Sequence, residues 1–210
     1  LERFYVAGGR VEGSPYRLLP MLARVNSREA TELLIVSNFV EVALAREGHS
    51  NPVGVNCMEK LQIQLLDSLY GSMLAGVGHV LMGAGIPLKV PGVLDAFASG
   101  QAASYPLSVT GALPGDDCLM RFDPQEIFGQ PMPPLARPVF LAIISSNTLA
   151  TTMVRRSNGK VDGFVIEGPT AGGHNAPPRG QMILSDKGEA VYGERDRVDL
   201  EKIRQIGIPF

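Results

Sequence analysis

The sequence predicts an α/β fold, a parallel sheet covered by helices. Three observations predict it. Short apolar segments alternate with helix-length amphipathic ones along most of the chain. The apolar segments, such as Pro138-Val-Phe-Leu-Ala-Ile-Ile144, are apolar on both faces, as strands buried on two sides are. Loops rich in Gly, Ser or Asn follow these segments, at the strand ends where parallel α/β folds collect their ligands.

The first twenty residues read as irregular, broken by Gly8-Gly9, Gly13 and Pro15. A long helix follows, with Asn26 as its expected cap, Glu29 as the capping-box partner and Gly48 past its end. Leu33, Leu34, Val36, Val40, Ala43 and Leu44 supply its expected apolar stripe. Pro52–Asn56 reads as a strand. A second helix is expected with Glu59 in its first turn and Leu61, Leu65, Leu69 and Met73 at i+4 spacing. His79–Met82 is the next strand, and Pro91 opens a short helix to Phe97. The Pro/Gly-rich segment 101–137 reads as an insertion in a single domain. Within it we expect a small hairpin, Leu107–Thr110 with Leu119–Phe122. Strand 138–144, a helix capped at Asn147, strand Gly163–Ile166 and a loop over 168–180 come next. Asp199 caps a helix that Gly207 ends, and Ile208 onward has the pattern of an opening strand.

Bulk properties exclude several classes. Of the 210 residues, 45% are apolar and 19% charged, a globular composition and not that of a disordered chain. The formal net charge of −2 offers no general attraction for nucleic acid or anionic membranes. No apolar run has the length of a membrane span, and no signal peptide is expected at the start. Cys57 and Cys118 make neither a metal spacing nor a disulfide framework, which fits ordinary thiols and a cytoplasmic protein. We expect a small-molecule substrate; a homo-oligomer is compatible with this reading. The chain opens at Leu1 without Met and closes on Ile208-Pro-Phe210, so we expect part of a longer protein.

Four strand ends bring candidate chemistry to one face. They are Asn56, then Gly83-Ala-Gly85, then Ser145-Ser-Asn147, then Glu167-Gly-Pro-Thr-Ala-Gly-Gly-His174. Gly172 and Gly173 let backbone approach a flat ligand, because no Cβ intervenes. His174 belongs to the residue type that exchanges a proton near neutral pH. Asn56 offers a donor and an acceptor together, and Glu167 an acceptor. Each has an ordinary reading as well: a turn for the glycines, a surface or core histidine, a strand-end cap for Asn56, a solvated charge for Glu167. Ser145 and Asn147 read most simply as a helix cap. His49 sits beside a helix end and His79 at a strand start, opposite the expected site. Neither a Gly-x-Gly-x-x-Gly fingerprint nor a P-loop occurs.

Taken together, Gly54-Val-Asn56, the strand into Gly83-Ala-Gly85, and Asp162-Gly-Phe-Val-Ile-Glu-Gly168 running into Ala171-Gly-Gly-His174 resemble the nitronate monooxygenase family and its relatives, the flavin-dependent enoyl-ACP reductases. The resemblance covers about residues 50–100 and 138–210. It implies an FMN-binding (β/α)8 TIM barrel, of which this chain would hold about strands three to seven. It implies oxidation of alkyl nitronates or nitroalkanes by O2 to carbonyl compounds and nitrite, with His174 as base. Asn56, Glu167 and Gly172 would line FMN, and Gly173 with them. Glu167 stands where nitronate monooxygenases usually have Gln and the reductases tend to have Glu. That difference makes an NAD(P)H-linked flavin reductase the second reading, and a flavin-binding protein without turnover the third.

Overall fold

The computed structural model describes residues 5–16, 18–172 and 175–210. Its helices are α1 (Arg28–Ala45), α2 (Leu65–Leu74), α3 (Val90–Ala98), α4 (Pro124–Phe128), α5 (Asn147–Arg156) and α6 (Leu200–Arg204). Its strands are β1 (Gly54–Met58), β2 (His79–Gly83), β3 (Ala103–Pro106), β4 (Leu119–Phe122), β5 (Val139–Ile144) and β6 (Gly163–Ile166). The chain divides into two compact units. One comprises the residues up to Val53, Leu61–Val77 and Ala96–Arg137; the other comprises Gly54–Lys60, Gly78–Asp95 and Pro138–Phe210.

The first unit packs α1 on α2. Ser27, not Asn26, caps α1: its Oγ accepts from Ala30 N at 3.2 Å. Both residue types cap well, and tertiary bonds decide between them. Asn26 instead donates to Ile63 O and to the Asp67 carboxylate, and accepts from Ala23 N. The buried stripe of α1 is Ala30, Thr31, Ile35 and Val42, one step round from the expected one, and Leu44 faces solvent. Gly71 explains that rotation. A Cβ there would lie 2.9 Å from Ile35 Cα and press on its carbonyl oxygen, so the backbones meet where α2 has no side chain.

Nor does α2 begin near Glu59. A 3-10 turn over Gln62–Gln64 leads into it, Leu61 is exposed, and the Glu59 N–H belongs to the other unit, where it donates to Gly83 O. The hairpin pairs β3 with β4 antiparallel, four residues earlier in its first strand than expected. That register buries Tyr105 opposite Met120, while Val109 stays exposed. Phe97, Phe122 and Phe128 gather round Tyr70 at ring-centroid distances of 5.0, 4.9 and 5.9 Å. Burying such rings supplies much of a small core's stability.

The second unit is a parallel sheet in the order β1-β2-β5-β6. β1 begins two residues later than the sequence suggests, since Gly54 pairs with His79 and the ladder runs to Met58 opposite Gly83. Asp162 ties β5 to β6: its carboxylate accepts from Phe140 N at 2.9 Å and its own N–H donates to Phe140 O at 3.0 Å. Ile208 onward forms no strand, but Pro209 O accepts from Phe164 N at 3.0 Å, so the chain there lies beside β6.

The two sheet faces differ in a way the apolar strands did not predict. Val80, Met82, Phe140, Ala142 and Ile144 share one face and are 1% exposed or less. Leu81, Leu141 and Ile143 share the other and are only half-buried. On that second face Gly54, Gly83 and Gly163 interleave with large residues. A Cβ at Gly83 would lie 3.0 Å from Ile143 Cβ, and one at Gly163 2.8 Å from Leu141 Cδ2.

Candidate functional site

The C-terminal ends of β1, β2, β5 and β6 surround a cavity of about 520 Å³, within the range of small-molecule sites. Parallel pairing puts these ends on one side, and the residues just beyond them form the wall. Asn56 comes from β1 and is exposed toward it; Gly83, Ala84 and Gly85 come from the end of β2. Ser145 follows β5, Glu167 follows β6, and Gly172 comes from the loop after it. Three of the five residues singled out from sequence are therefore brought together. Gly173 and His174 lie outside the described residues; their neighbours Gly172 and Asn175 both line the cavity.

Backbone geometry at this rim is specific. Ala84 holds φ 52°, in the left-handed region, which costs a non-glycine residue about 1–2 kcal/mol. Next to it, a Cβ on Gly85 would meet Glu59 Cβ at 2.8 Å, so the turn after β2 closes tightly on the end of β1. Glu167 is anchored through its backbone, which donates to Ile144 O at 2.8 Å, leaving its half-buried side chain on the wall. Gly172 has the opposite character: a Cβ there would meet nothing within 4 Å. Asn175 Nδ2 donates to Gly168 O and Pro169 O, folding the loop back on itself.

Some expected roles change. Ser146, not Ser145 or Asn147, caps α5, its Oγ accepting from Leu149 N at 3.1 Å. That frees Ser145 for the wall. Asn147 makes a reciprocal pair with Asp199, donating to its O and accepting from its N. His49 bonds Ala45 O at the end of α1, and His79 starts β2, at the far end of the strand from the cavity. Among the described residues there is no group of metal-ligating side chains, and no helix is long and apolar enough to cross a membrane.

Sequence reasoning missed Cys57 and Met58, because it ended β1 at Asn56; both line the cavity. Burial pushes the Cys57 thiol above its ordinary range, so it stays protonated near neutral pH. A second hollow of about 310 Å³ shares Ser145, Glu167 and Asn175 with the first and adds Arg179, Tyr192 and Asp196. Arg179 Nη2 donates to Ser145 O, and Tyr192 OH to Ala176 O. Asp196 accepts from Arg179 N and Gly193 N, both at 2.7 Å, and these bonds hold its carboxyl below the usual carboxylate range. No signal in the sequence marks these three residues, since they meet through loop contacts with no period.

Comparison with protein-family models, with curated proteins and with solved structures gives no match.

Proposed function

We propose that this chain is the ligand-bearing part of an FMN-dependent (β/α) barrel oxidoreductase acting on alkyl nitronates and nitroalkanes. The observation that carries the reading is the convergence of Asn56, Glu167 and Gly172 on one cavity at the C-terminal ends of four parallel strands. The strand order supports a barrel. Four strands follow one another in chain order and Pro209 continues the series beside β6, without the reversal that marks a doubly wound sheet. The half-buried second face, with glycines set against Leu141 and Ile143, suits a barrel interior.

The residues fit a flavin. The wall is part polar and part apolar. Gly172 leaves room for a flat ring, Asn56 presents a donor and an acceptor, and Glu167 an acceptor. When bound, FMN supplies an electron acceptor that oxygen regenerates. The chain's own work is to orient the substrate and move one proton. His174 takes it from the carbon bearing the nitro group of a neutral nitroalkane, whereas a nitronate has already lost it. Turnover of nitroethane and of ethyl nitronate by His174→Ala in the FMN-loaded chain tests this. We expect loss of the first with retention of the second; equal retention of both removes the histidine from the reaction.

Glu167, which lines both hollows, favours one second reading, an NAD(P)H-linked flavin reductase, because the flavin-dependent reductases that the sequence resembles tend to have Glu at this position. Anaerobic bleaching of bound FMN by NADPH distinguishes that reading from the first.

A further inference from the structure

Between Arg179 and Tyr192, which both line the second hollow, the chain makes a small excursion with a defined register. Leu184 bridges Ala190 antiparallel; Val191 N donates to Ile183 O at 2.9 Å and Ser185 N to Glu189 O at 2.8 Å. Gly188, at φ 78°, closes the turn, where its N–H donates to Ser185 O. The excursion is a β-hairpin whose two feet stand on the rim of the candidate site. Residues opposite one another in such a ladder share a face, and alternate residues along each strand do too. Leu184 therefore shares a face with Ala190, and one step toward the feet Met182 shares it with Tyr192. Since Tyr192 lines the hollow, Met182 and Leu184 stand on the face of the hairpin that Tyr192 presents to it. Both are large, apolar and more than half exposed, at 54% and 58%.

We propose that this hairpin face receives the apolar chain of the substrate, so that Met182 and Leu184 set its preference for length. The proposal rests on the proposed function for the nitroalkane substrate and for where its reacting end lies. The larger cavity and the second hollow share Ser145, Glu167 and Asn175 in their walls, so a reacting group in the first lies beside the second. Beyond Tyr192 this face offers the apolar side chains of Met182 and Leu184, which favour methylene groups over water. The opposite hairpin face, carrying Ile183 and Val191, points away from Tyr192 and serves as the internal control.

Dissociation constants for 1-nitrohexane and nitroethane, measured anaerobically by calorimetry with and without saturating FMN, test it. The longer compound binds at least about tenfold tighter, since four further methylenes leave water. Met182→Asp and Leu184→Asp each cut that preference several-fold without changing nitroethane binding; Met182→Leu keeps it, and so does Ile183→Asp. Equal binding of the two compounds, no binding of either, or a preference that survives both Asp variants overturns the proposal. A chain that stays colourless with FMN yet prefers 1-nitrohexane overturns the flavin reading alone. A chain that binds FMN without any length preference overturns the hairpin alone.

Discussion

Gly172→Val separates the fold from the ligand. A Cβ at this position meets nothing within 4 Å, and its φ is not in the left-handed region, so the free chain accepts a side chain there. The expected change in unfolding free energy is under about 0.5 kcal/mol, as for an exposed site without special geometry. A flavin ring packed on the Gly172 backbone meets a different situation. Ring atoms in van der Waals contact lie about 3.5–4 Å from the backbone, and the branched side chain fills that space. Overpacking of this kind costs about 1–3 kcal/mol, which weakens FMN about 5-fold to 150-fold. Two assays read the two halves. With FMN at a hundred times the parent dissociation constant, binding adds about 2.7 kcal/mol to the parent's stability. In a chain of this size that is a rise of about 5–10 °C in the melting temperature. For the variant at the same concentration the rise falls to about two-thirds or less, while the melting temperature without FMN stays put. Flavin fluorescence titration gives the affinity directly. A variant that binds FMN as the parent does refutes placing the ring against Gly172; a variant that melts early without FMN refutes the open-space argument.

Two further outcomes follow from buried titratable groups. Asp67 is 3% exposed; burial raises its carboxyl pKa, and hydrogen bonds from Thr31 and Asn26 oppose that only in part. The folded state therefore favours the neutral acid, so the contribution is full below the ordinary carboxylate range and is lost as pH rises through the raised value. Asp67→Asn should gain melting temperature over the parent at about pH 8 and lose that advantage as pH falls into the ordinary carboxylate range; a difference that does not change with pH sinks the idea. Cys57 should react slowly with iodoacetamide at neutral pH, faster as pH climbs, and slower again with saturating FMN. Peptide mass spectrometry with Cys118 as reference reads this, and labelling of Cys57 that ignores FMN would place the flavin elsewhere.

Much of the second unit was legible because its strands carry a local signal. Gly163–Ile166 is an apolar run between turn residues, and its ends fall where the sequence puts them. The start of β1 was not legible, since pairing with His79 on the neighbouring strand sets it and local preference does not. That shift of two residues hid Cys57 and Met58 from the candidate site. Asn26 and Ser27 are equally good caps on paper; the choice between them depends on Asp67, forty-one positions away from Asn26. Tyr105 and not Val109 enters the hairpin ladder because an aromatic ring gains more from the core than a smaller side chain. Asn56 and Glu167 come together because strand ends in a parallel sheet converge whatever the loops do, and Gly172 reaches the same cavity from the loop after β6. Arg179 and Asp196 are joined by one backbone N–H, and no spacing announces such a bond.

The glycines of the half-buried sheet face set a rule for exchange between strands. Gly163 gives its space to Leu141, and Gly83 gives its space to Ile143. Volume on that face is thus held jointly by neighbouring strands, so a methyl group added on one requires a methyl group removed from the next. Gly163→Ala combined with Leu141→Val removes the clash with the Leu141 tip and leaves only a close approach to Pro209 O at 3.1 Å, whereas Gly83→Ala alone meets the Cβ of Ile143 itself at 3.0 Å, which is no flexible side-chain tip.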